Sequence, residues 1–108
     1  MPPSEHTKTI VAESTPPGVG GVSLIRIAGP DSLLYLTKIT KGNKQNYKPR
    51  TVYHRSLWDS RGGLIDRALV TFFKKPNSYT GENIVEVSCH GSPLVVTKII
   101  SSLVSLGA

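Results

Sequence analysis

Two stretches decide how this chain is interpreted: TIVAESTPPGVGGVSLIRIAG at residues 9–29 and PNSYTGENIVEVSCHGSP at residues 76–93. Each places one charge inside an otherwise apolar strand, Arg26 within LIRIA and Glu86 within IVEVS. A charge in such a strand is costly unless it meets a partner or a ligand. The two charges are opposite in sign, and each follows a loop marked by glycine and proline. Together they predict a binding pocket at the ends of adjacent strands.

The composition is that of one globular domain. The chain has 108 residues, of which 38% are hydrophobic, so neither a disordered nor a membrane class fits. No apolar run reaches the roughly 20 residues that a membrane helix requires. The start MPPSEHTK lacks the basic and apolar regions of a secretory signal. The single cysteine, Cys89, excludes an internal disulfide and fits a reducing compartment.

The charge is unevenly distributed. The net charge is +6, and no acidic residue lies between Asp31 and Asp59. That interval carries six cations, with tyrosine and histidine interleaved: Lys38, Lys41, Lys44, Lys48, Arg50 and Arg55. Such a stretch could attract the phosphate backbone of RNA. The alternative is a solvated loop and strand edge, because charge runs usually mark surface.

Hydrophobic periodicity predicts the element order β-β-α-β-β-β-α and therefore an α+β fold, with a mixed or mostly antiparallel sheet of about five strands and two helices. Residues 1–8 are predicted to be a flexible tail before a domain at residues 9–108. The strands are predicted at residues 9–13, 22–28, 51–58, 64–73 and 84–89, with a loop at 14–21, a tight turn at 59–63 and a second loop of functional character at 76–83. The first helix is predicted to be capped by Asp31 or Ser32. The second helix is predicted to have Pro93 in its first turn and to end at Gly107. Its apolar stripe consists of Val95, Val96, Ile99, Ile100, Leu103 and Val104.

Strand alternation places Arg26 on a face with Val22, Leu24 and Ala28, and Glu86 on a face with Ile84 and Ser88. An arginine offers a planar fork of donors that suits a carboxylate or a heteroaromatic ring. A glutamate can accept two parallel N–H bonds from an aminopyrimidine edge. The alternative is a direct Arg26–Glu86 salt bridge that joins two strands, and residue types alone leave both open.

Other motifs give weaker signals. Residues 18–21, GVGG, lack the third glycine of the dinucleotide fingerprint and precede a strand, and no P-loop is present. Cys89-His90 is best explained by a buried cysteine and a histidine that helps to start a helix, although N–H groups of residues 90–92 could meet an anion. Asn77 and Ser78 are interpreted as turn-shaping residues. No catalytic residue and no metal-ligand set is predicted.

The two opening stretches resemble the hallmarks of one known family. TIVAESTPPGVGGVSLIRIAG closely resembles the opening of the tRNA-modification GTPases MnmE, also called TrmE. PNSYTGENIVEVSCHGSP resembles that family's P-x-S-[YF]-T-G-E-[DN] loop, which runs into a strand and His-Gly-Gly. The match is collinear from about Thr9 to Ala108, and Ser92 stands where the family usually has a second glycine.

The resemblance implies an N-terminal domain similar to the tetrahydrofolate-binding domains of one-carbon enzymes. In that family the domain mediates homodimerisation and binds 5-formyltetrahydrofolate or a related folate near the dimer interface. The folate-contacting arginine falls on Arg26, and the pterin-contacting glutamate falls on Glu86. A further lysine of the site lies beyond Ala108.

Full-length members also have a helical domain and a GTPase domain, which carries GTP, Mg²⁺ and K⁺. With the flavoprotein MnmG they modify the wobble uridine of certain tRNAs in the cytoplasm, or in an organelle of eukaryotes. We therefore expect this chain to be a fragment that is not catalytic alone and does not enter membranes. The alternatives are a basic RNA-contacting module or a purely dimerising module without folate.

Overall fold

A computed structural model describes residues 8–15, 21–75 and 81–108 of the chain. These residues contain five strands, two helices and a short 3-10 helix at Lys44–Asn46. The strands are β1 Ile10–Glu13, β2 Val22–Ala28, β3 Val52–Trp58, β4 Leu64–Phe73 and β5 Ile84–His90, and the helices are α1 Ser32–Thr40 and α2 Pro93–Ser105. The predicted element order is confirmed, and strand ends differ from the predictions by at most one residue.

The strands form a single sheet in the order β1-β2-β5-β4-β3, in which every neighbouring pair is antiparallel. The last strand of the chain, β5, is therefore inserted between β2 and β4. Arg26 lies directly opposite Glu86 in the β2–β5 ladder, and Thr71 lies opposite Glu86 in the β4–β5 ladder. The α+β prediction is confirmed, and the sheet is purely antiparallel.

The hydrophobic core lies on one face of the sheet, which we call the covered face. Its strand residues pack with the buried residues of both helices in one cluster: Ile25, Ile27, Leu57, Ala68, Val70, Phe72, Val85, Val87 and Cys89, with Tyr35, Leu36 and Ile39 of α1 and Val96, Ile99 and Leu103 of α2. The other face, which we call the open face, carries the alternate residues of each strand. They include Val22, Arg26, Leu69 and Glu86, and the predicted alternation of β2 and β5 is confirmed.

The two helices begin in different ways. Ser92 is the N-cap of α2, and its hydroxyl accepts a hydrogen bond from Val95 N at 3.5 Å, with Pro93 in the first turn as predicted. Asp31, one of the two predicted caps, is the N-cap residue of α1, but its side chain makes no cap hydrogen bond. Ser32 Oγ is fully buried without a hydrogen-bond partner in the described residues. The apolar stripe of α2 is narrower than predicted, because Val104 is 53% exposed.

Local backbone geometry determines two of the connections between elements: the one after β2 and the turn between β3 and β4. Gly29 has a φ of +138°, and a Cβ there would lie 2.6 Å from Thr9 Cα, so only glycine fits where β2 ends beside the start of β1. The predicted turn at residues 59–63 is present: Asp59 Oδ1 accepts hydrogen bonds from Arg61 N and Gly63 N. The hydrogen bond from Gly63 is the main reason that the pKa of Asp59 lies below its usual value.

Several predictions concern residues outside the described ranges. They are the flexible tail at residues 1–8, apart from Lys8, most of the glycine-rich loop at 14–21, and the turn roles of Asn77 and Ser78. Within the described ranges, neither helix is both long and apolar enough to cross a membrane.

Candidate ligand-binding site

Arg26 and Glu86, the two residues singled out from the sequence, form an ion pair in the middle of the open face. Arg26 Nη2 donates to Glu86 Oε2 at 2.7 Å, and Arg26 Nε donates to the same oxygen at 3.2 Å. The pair forms because β2 and β5 are neighbours in a register that sets these two residues opposite each other. The structure thus brings together two residues that are 60 positions apart in the chain.

The geometry of the pair leaves one carboxylate oxygen available. Both arginine donors converge on Oε2, and Oε1 of Glu86 accepts no hydrogen bond from the residues that the structure describes. The Glu86 side chain is 18% exposed and the Arg26 side chain 36% exposed, so both reach solvent from the open face. A carboxylate held by an arginine on one oxygen can accept an N–H bond from a ligand on the other. The arrangement is therefore compatible with a ligand site and with a structural salt bridge.

A second pair, Asp66 with His90, joins β4 to the end of β5 and was missed by the sequence interpretation. His90 Nδ1 lies 2.7 Å from Asp66 Oδ1, and His90 N donates to Asp66 Oδ2 at 2.9 Å. Burial alone would raise the pKa of Asp66, but the hydrogen bonds from the backbone and ring of His90 outweigh it, so this pKa lies below its usual value. The His90 ring itself is mostly exposed.

The His90 contacts change the interpretation of the Cys89-His90 motif. His90 N is bound to the Asp66 carboxylate, and Gly91 N donates to Gly21 O at 3.0 Å. These two N–H groups are therefore not available to an anion, in contrast to one interpretation of residues 90–92. His90 ends β5, and Ser92 rather than His90 caps α2.

Cys89 is a core residue, as the sequence indicated. It is 3% exposed on the covered face, and its Sγ lies 3.6 Å from Ser23 O. Burial, with a smaller contribution from the negative charge of Asp66, raises the pKa of this thiol to about 11. The cysteine is therefore protonated at neutral pH and is a poor nucleophile.

A hollow of about 290 Å³ lies on the open face at the His90 end of the sheet. Its lining combines residues from β2, β3, β4 and β5: Gly21, Val22, His54, Arg67, Leu69, Ser88, Cys89 and His90. A hollow of about 580 Å³ lies instead between β1 and the end of α2, with Lys8 and Asp31 as its charged residues. Neither Arg26 nor Glu86 lines these two hollows. Instead of the predicted pocket, the structure has an exposed ion pair on the same sheet face as the smaller hollow.

The basic interval between Asp31 and Asp59 is only partly free for a partner. The Lys41 ammonium lies 4.4 Å from the centre of the Trp58 ring, and the Arg55 guanidinium lies 4.8 Å from that of Tyr53. These cation–π contacts hold both cations against the domain. The Lys44 side chain is outside the described part of the structure. A different cluster forms where Arg50 meets Lys74 and Lys75 around a hollow of about 210 Å³.

Metal binding finds no support in the described residues, because no group of three or more His, Cys, Asp or Glu side chains is placed to hold an ion. The described residues offer an ion pair on an exposed sheet face, a neighbouring hollow and a small cationic cluster.

Comparison with known proteins gives one consistent family. Residues 9–108 match the family described as "GTP-binding protein TrmE N-terminus". The tRNA modification GTPase MnmE of Fervidobacterium nodosum is 48% identical over 103 residues, and that of Bdellovibrio bacteriovorus is 46% identical over 101 residues. Each alignment covers 93% of this chain but only 22% and 21% of the respective relative, so the chain spans about a fifth of their length. The chain belongs to the MnmE/TrmE family of tRNA modification GTPases and corresponds to its N-terminal domain.

Proposed function

We propose that this domain binds a tetrahydrofolate one-carbon carrier, 5-formyltetrahydrofolate or a close relative, at Arg26 and Glu86. The observation that carries the proposal is the carboxylate of Glu86, which is held by Arg26 through Oε2 and has no partner for Oε1 among the described residues. A pterin presents an aminopyrimidine edge with N–H donors, which is the complement of such a carboxylate. The resemblance to folate-binding domains gives the same assignment to the same two residues.

The residues present fit the folate in charge and position. Glu86 accepts N–H bonds from the pterin, and Arg26 orients the Glu86 carboxylate while it presents its guanidinium plane on the same face. When bound, the folate supplies a one-carbon unit for the modification of a tRNA wobble uridine together with the flavoprotein MnmG. The part of this domain is to hold the carrier, and GTP hydrolysis belongs to the remaining length of the family's proteins.

The open face also supports homodimerisation. Large apolar side chains are exposed on it at both ends of the sheet: Ile10 at 63%, Val22 at 61%, Val52 at 61% and Leu69 at 48%. Dispersed single apolar residues are ordinary on a surface, but several on one uncovered sheet face are typical of an interface. A second copy of the chain packed near this face places the folate site beside the dimer interface.

The test is calorimetric titration of 5-formyltetrahydrofolate into the chain and two matched variants. Glu86→Gln keeps the shape of the side chain but removes the charge, and we expect it to weaken binding by roughly tenfold to a hundredfold, the value of hydrogen bonds to a charged group. Glu13→Gln is the control, because Glu13 lies on β1 and its carboxylate contacts Thr15. Equal affinity of the wild type and Glu86→Gln would remove the site assignment.

A second candidate function, contact with the RNA backbone, is supported by the cluster of Arg50, Lys74 and Lys75. Their side chains come from the β3 approach and the end of β4, surround one hollow, and form no ion pair with a described residue. Arg50 is held in place because its backbone, with a φ of +56°, donates to Phe72 O. Unpaired cations that converge in this way suit phosphate oxygens.

The RNA proposal is tested by the salt dependence of tRNA binding. We expect the triple variant Arg50→Ala/Lys74→Ala/Lys75→Ala to bind more weakly, with a log–log salt slope shallower by about one for each phosphate contact removed. The triple variant Lys8→Ala/Arg61→Ala/Lys98→Ala removes the same charge elsewhere. If both variants lose the same affinity, the cluster has no special role and only net charge matters.

A further inference from the structure

Three cations from three different elements surround the turn at residues 59–63. Lys41 follows the end of α1, and its ammonium lies 4.4 Å from the centre of the partly exposed Trp58 ring. Arg61 belongs to the turn itself, and Lys98 lies on α2. We call the surface formed by these three cations and Trp58 the turn patch. Because both helices pack on the covered face, the turn patch lies away from the open face and its proposed ligand site.

Two observations place the cations close to the turn. A Cβ added to Gly62 would lie 3.9 Å from Lys41 Nζ, so this ammonium reaches the backbone of the turn. The pKa of Asp59 is lowered first by a backbone hydrogen bond within the turn and then by the charges of Lys98 and Arg61. The three positive charges therefore share one small area of surface.

Ion pairs do not neutralise the positive charge of the turn patch. All three cations are exposed, and none lies within ion-pair distance of an acidic group among the residues that the structure describes. Asp59 uses its Oδ1 to accept hydrogen bonds from the backbone of Arg61 and Gly63. The fold thus uses Asp59 to hold the turn and leaves the cations available to an anionic partner.

The backbone beneath the patch is held in one geometry. Lys41 has a φ of +56°, and its N–H donates to Lys38 O at 3.4 Å, which ends α1. In the turn, Asp59 N donates to Gly63 O at 2.8 Å, and Gly62 N donates to Asp59 O at 3.1 Å. A surface that is already ordered loses less conformational entropy when a partner binds.

Exposed leucines beside the cations favour a protein over an RNA as the partner. Leu64, which is 51% exposed, follows the turn and lies opposite Trp58 in the β3–β4 ladder. Leu94, which is 63% exposed, lies one helical turn before Lys98 on α2, so these two side chains share one side of the helix. Protein interfaces combine apolar and aromatic side chains with a polar rim, whereas contacts to an RNA backbone come from cations and polar groups.

We propose that the turn patch binds an acidic, leucine-containing segment of a partner protein, with carboxylates on the three cations and an apolar side chain against Trp58 and Leu64. The cations steer the acidic partner to the surface and fix its register, and the apolar contacts retain it. Since the patch is separate from the open face, the domain can hold a folate and this partner at the same time. The chain then has two cationic surfaces with different partners, this one for protein and the cluster of Arg50, Lys74 and Lys75 for RNA.

Trp58 is the only tryptophan of the chain, so its fluorescence reports directly on the turn patch. The probes are a short synthetic peptide of repeated Glu-Glu-Leu units, its counterpart of repeated Lys-Lys-Leu units, and a polyuridine strand of similar negative charge. We expect only the acidic peptide to change the fluorescence saturably. Lys41→Ala/Arg61→Ala/Lys98→Ala is expected to bind this peptide about tenfold more weakly, because three exposed ion pairs are lost. Lys41→Arg/Arg61→Lys/Lys98→Arg keeps the charges and is expected to retain binding.

Chemical cross-linking locates the contact independently. A carbodiimide couples carboxylates to the amines that they touch, and mass-spectrometric peptide mapping identifies the coupled lysines. We expect the acidic peptide to be found on Lys41 and Lys98 rather than on Lys74 and Lys75.

The matched control is Arg50→Ala/Lys74→Ala/Lys75→Ala, which removes the same charge from the other cationic surface. It is expected to bind the acidic peptide as the wild type does, and circular dichroism shows whether each variant is folded. Equal losses in the two alanine variants would mean that only net charge matters, and the proposal would be wrong. It would also be wrong if the wild type does not bind the acidic peptide, or if polyuridine binds the turn patch in its place.

Discussion

The same strands form both faces of the sheet, but different factors determine which residues each face carries. On the covered face, Ile25, Ile27 and Val85 are 0% exposed, and packing against the two helices decides each residue. On the open face, apolar side chains as exposed as Ile10, at 63%, lie near the Arg26–Glu86 ion pair, the exposed ring of His90 and a hollow. The first face explains why the chain folds. The second face keeps groups that the fold does not need, and these are the groups from which function is inferred.

The largest expected effect comes from isoleucines on opposite faces. Ile27→Ala on β2 empties a fully buried position and is expected to lower the free energy of unfolding by about 2–5 kcal/mol. Ile10→Ala on neighbouring β1 removes the same atoms from an exposed position and is expected to change it by under about 0.5 kcal/mol. Urea unfolding at low protein concentration measures both.

This pair of variants also tests the proposed dimer. If a second copy covers the open face, Ile10→Ala becomes costly only at protein concentrations where the dimer forms, whereas Ile27→Ala is costly at every concentration. An equal cost for both variants at low concentration would contradict the distinction between the two faces.

Asp66 is expected to stabilise the fold through its two hydrogen bonds with His90. Asp66→Ala removes the acceptor of two hydrogen bonds from His90 and is expected to lower the free energy of unfolding by about 1–3 kcal/mol. Asp31→Ala is the control, because the Asp31 side chain makes no cap hydrogen bond, and we expect about 0.5 kcal/mol or less. Chemical unfolding followed by circular dichroism compares the two, and a cost for Asp66→Ala no larger than the control would show that water replaces the carboxylate without loss.

The same carboxylate predicts a dependence of stability on pH. The pKa of Asp66 in the folded chain lies below 3.8, its ordinary value. Its stabilising contribution is therefore complete above that value and is lost as the pH falls through the lower, folded pKa. The difference in unfolding free energy between the wild type and Asp66→Asn should be largest near neutral pH and shrink in acid. A difference that stays constant down to the acid transition would mean that Asp66 titrates normally.

Local patterns in the sequence predicted more than long-range ones. Alternation of apolar residues fixed the faces of β2 and β5, because side chains of a strand point to opposite sides in turn. The strand order could not be read in this way, because pairing of β5 between β2 and β4 depends on contacts far apart in the chain. The Arg26–Glu86 pair was therefore anticipated as one of two alternatives, and its role as a ligand site stays a prediction.

The Asp66–His90 pair was missed for a physical reason. Asp66 has the same strand parity as the core residues Ala68 and Val70, so alternation gave no reason to place it beside an open-face histidine. It reaches His90 because β4 and β5 are antiparallel neighbours, so that β4 begins beside the end of β5. The apolar stripe of α2 was predicted too wide for a similar reason. Helical spacing shows which residues share one side of a helix, but it does not show how much of that side the sheet covers. Val104 lies at the uncovered edge of the stripe.

The smallest expected effect, and the most informative for function, is the coupling between Arg26 and Glu86. In the absence of ligand, a double-mutant cycle of Arg26→Ala and Glu86→Ala is expected to give about 0.2–1 kcal/mol, because the Arg26 side chain is 36% exposed and water and salt screen the pair. A coupling energy of that size would be too small for the pair to make a large contribution to folding stability. The presence of the pair in the sheet would then need another explanation. Repeating the cycle with saturating 5-formyltetrahydrofolate is expected to increase the coupling, because Arg26 then orients a carboxylate that also holds the pterin. A coupling well above 1 kcal/mol without ligand and unchanged with it would instead assign the pair to the fold, and the open face would keep dimerisation as its function.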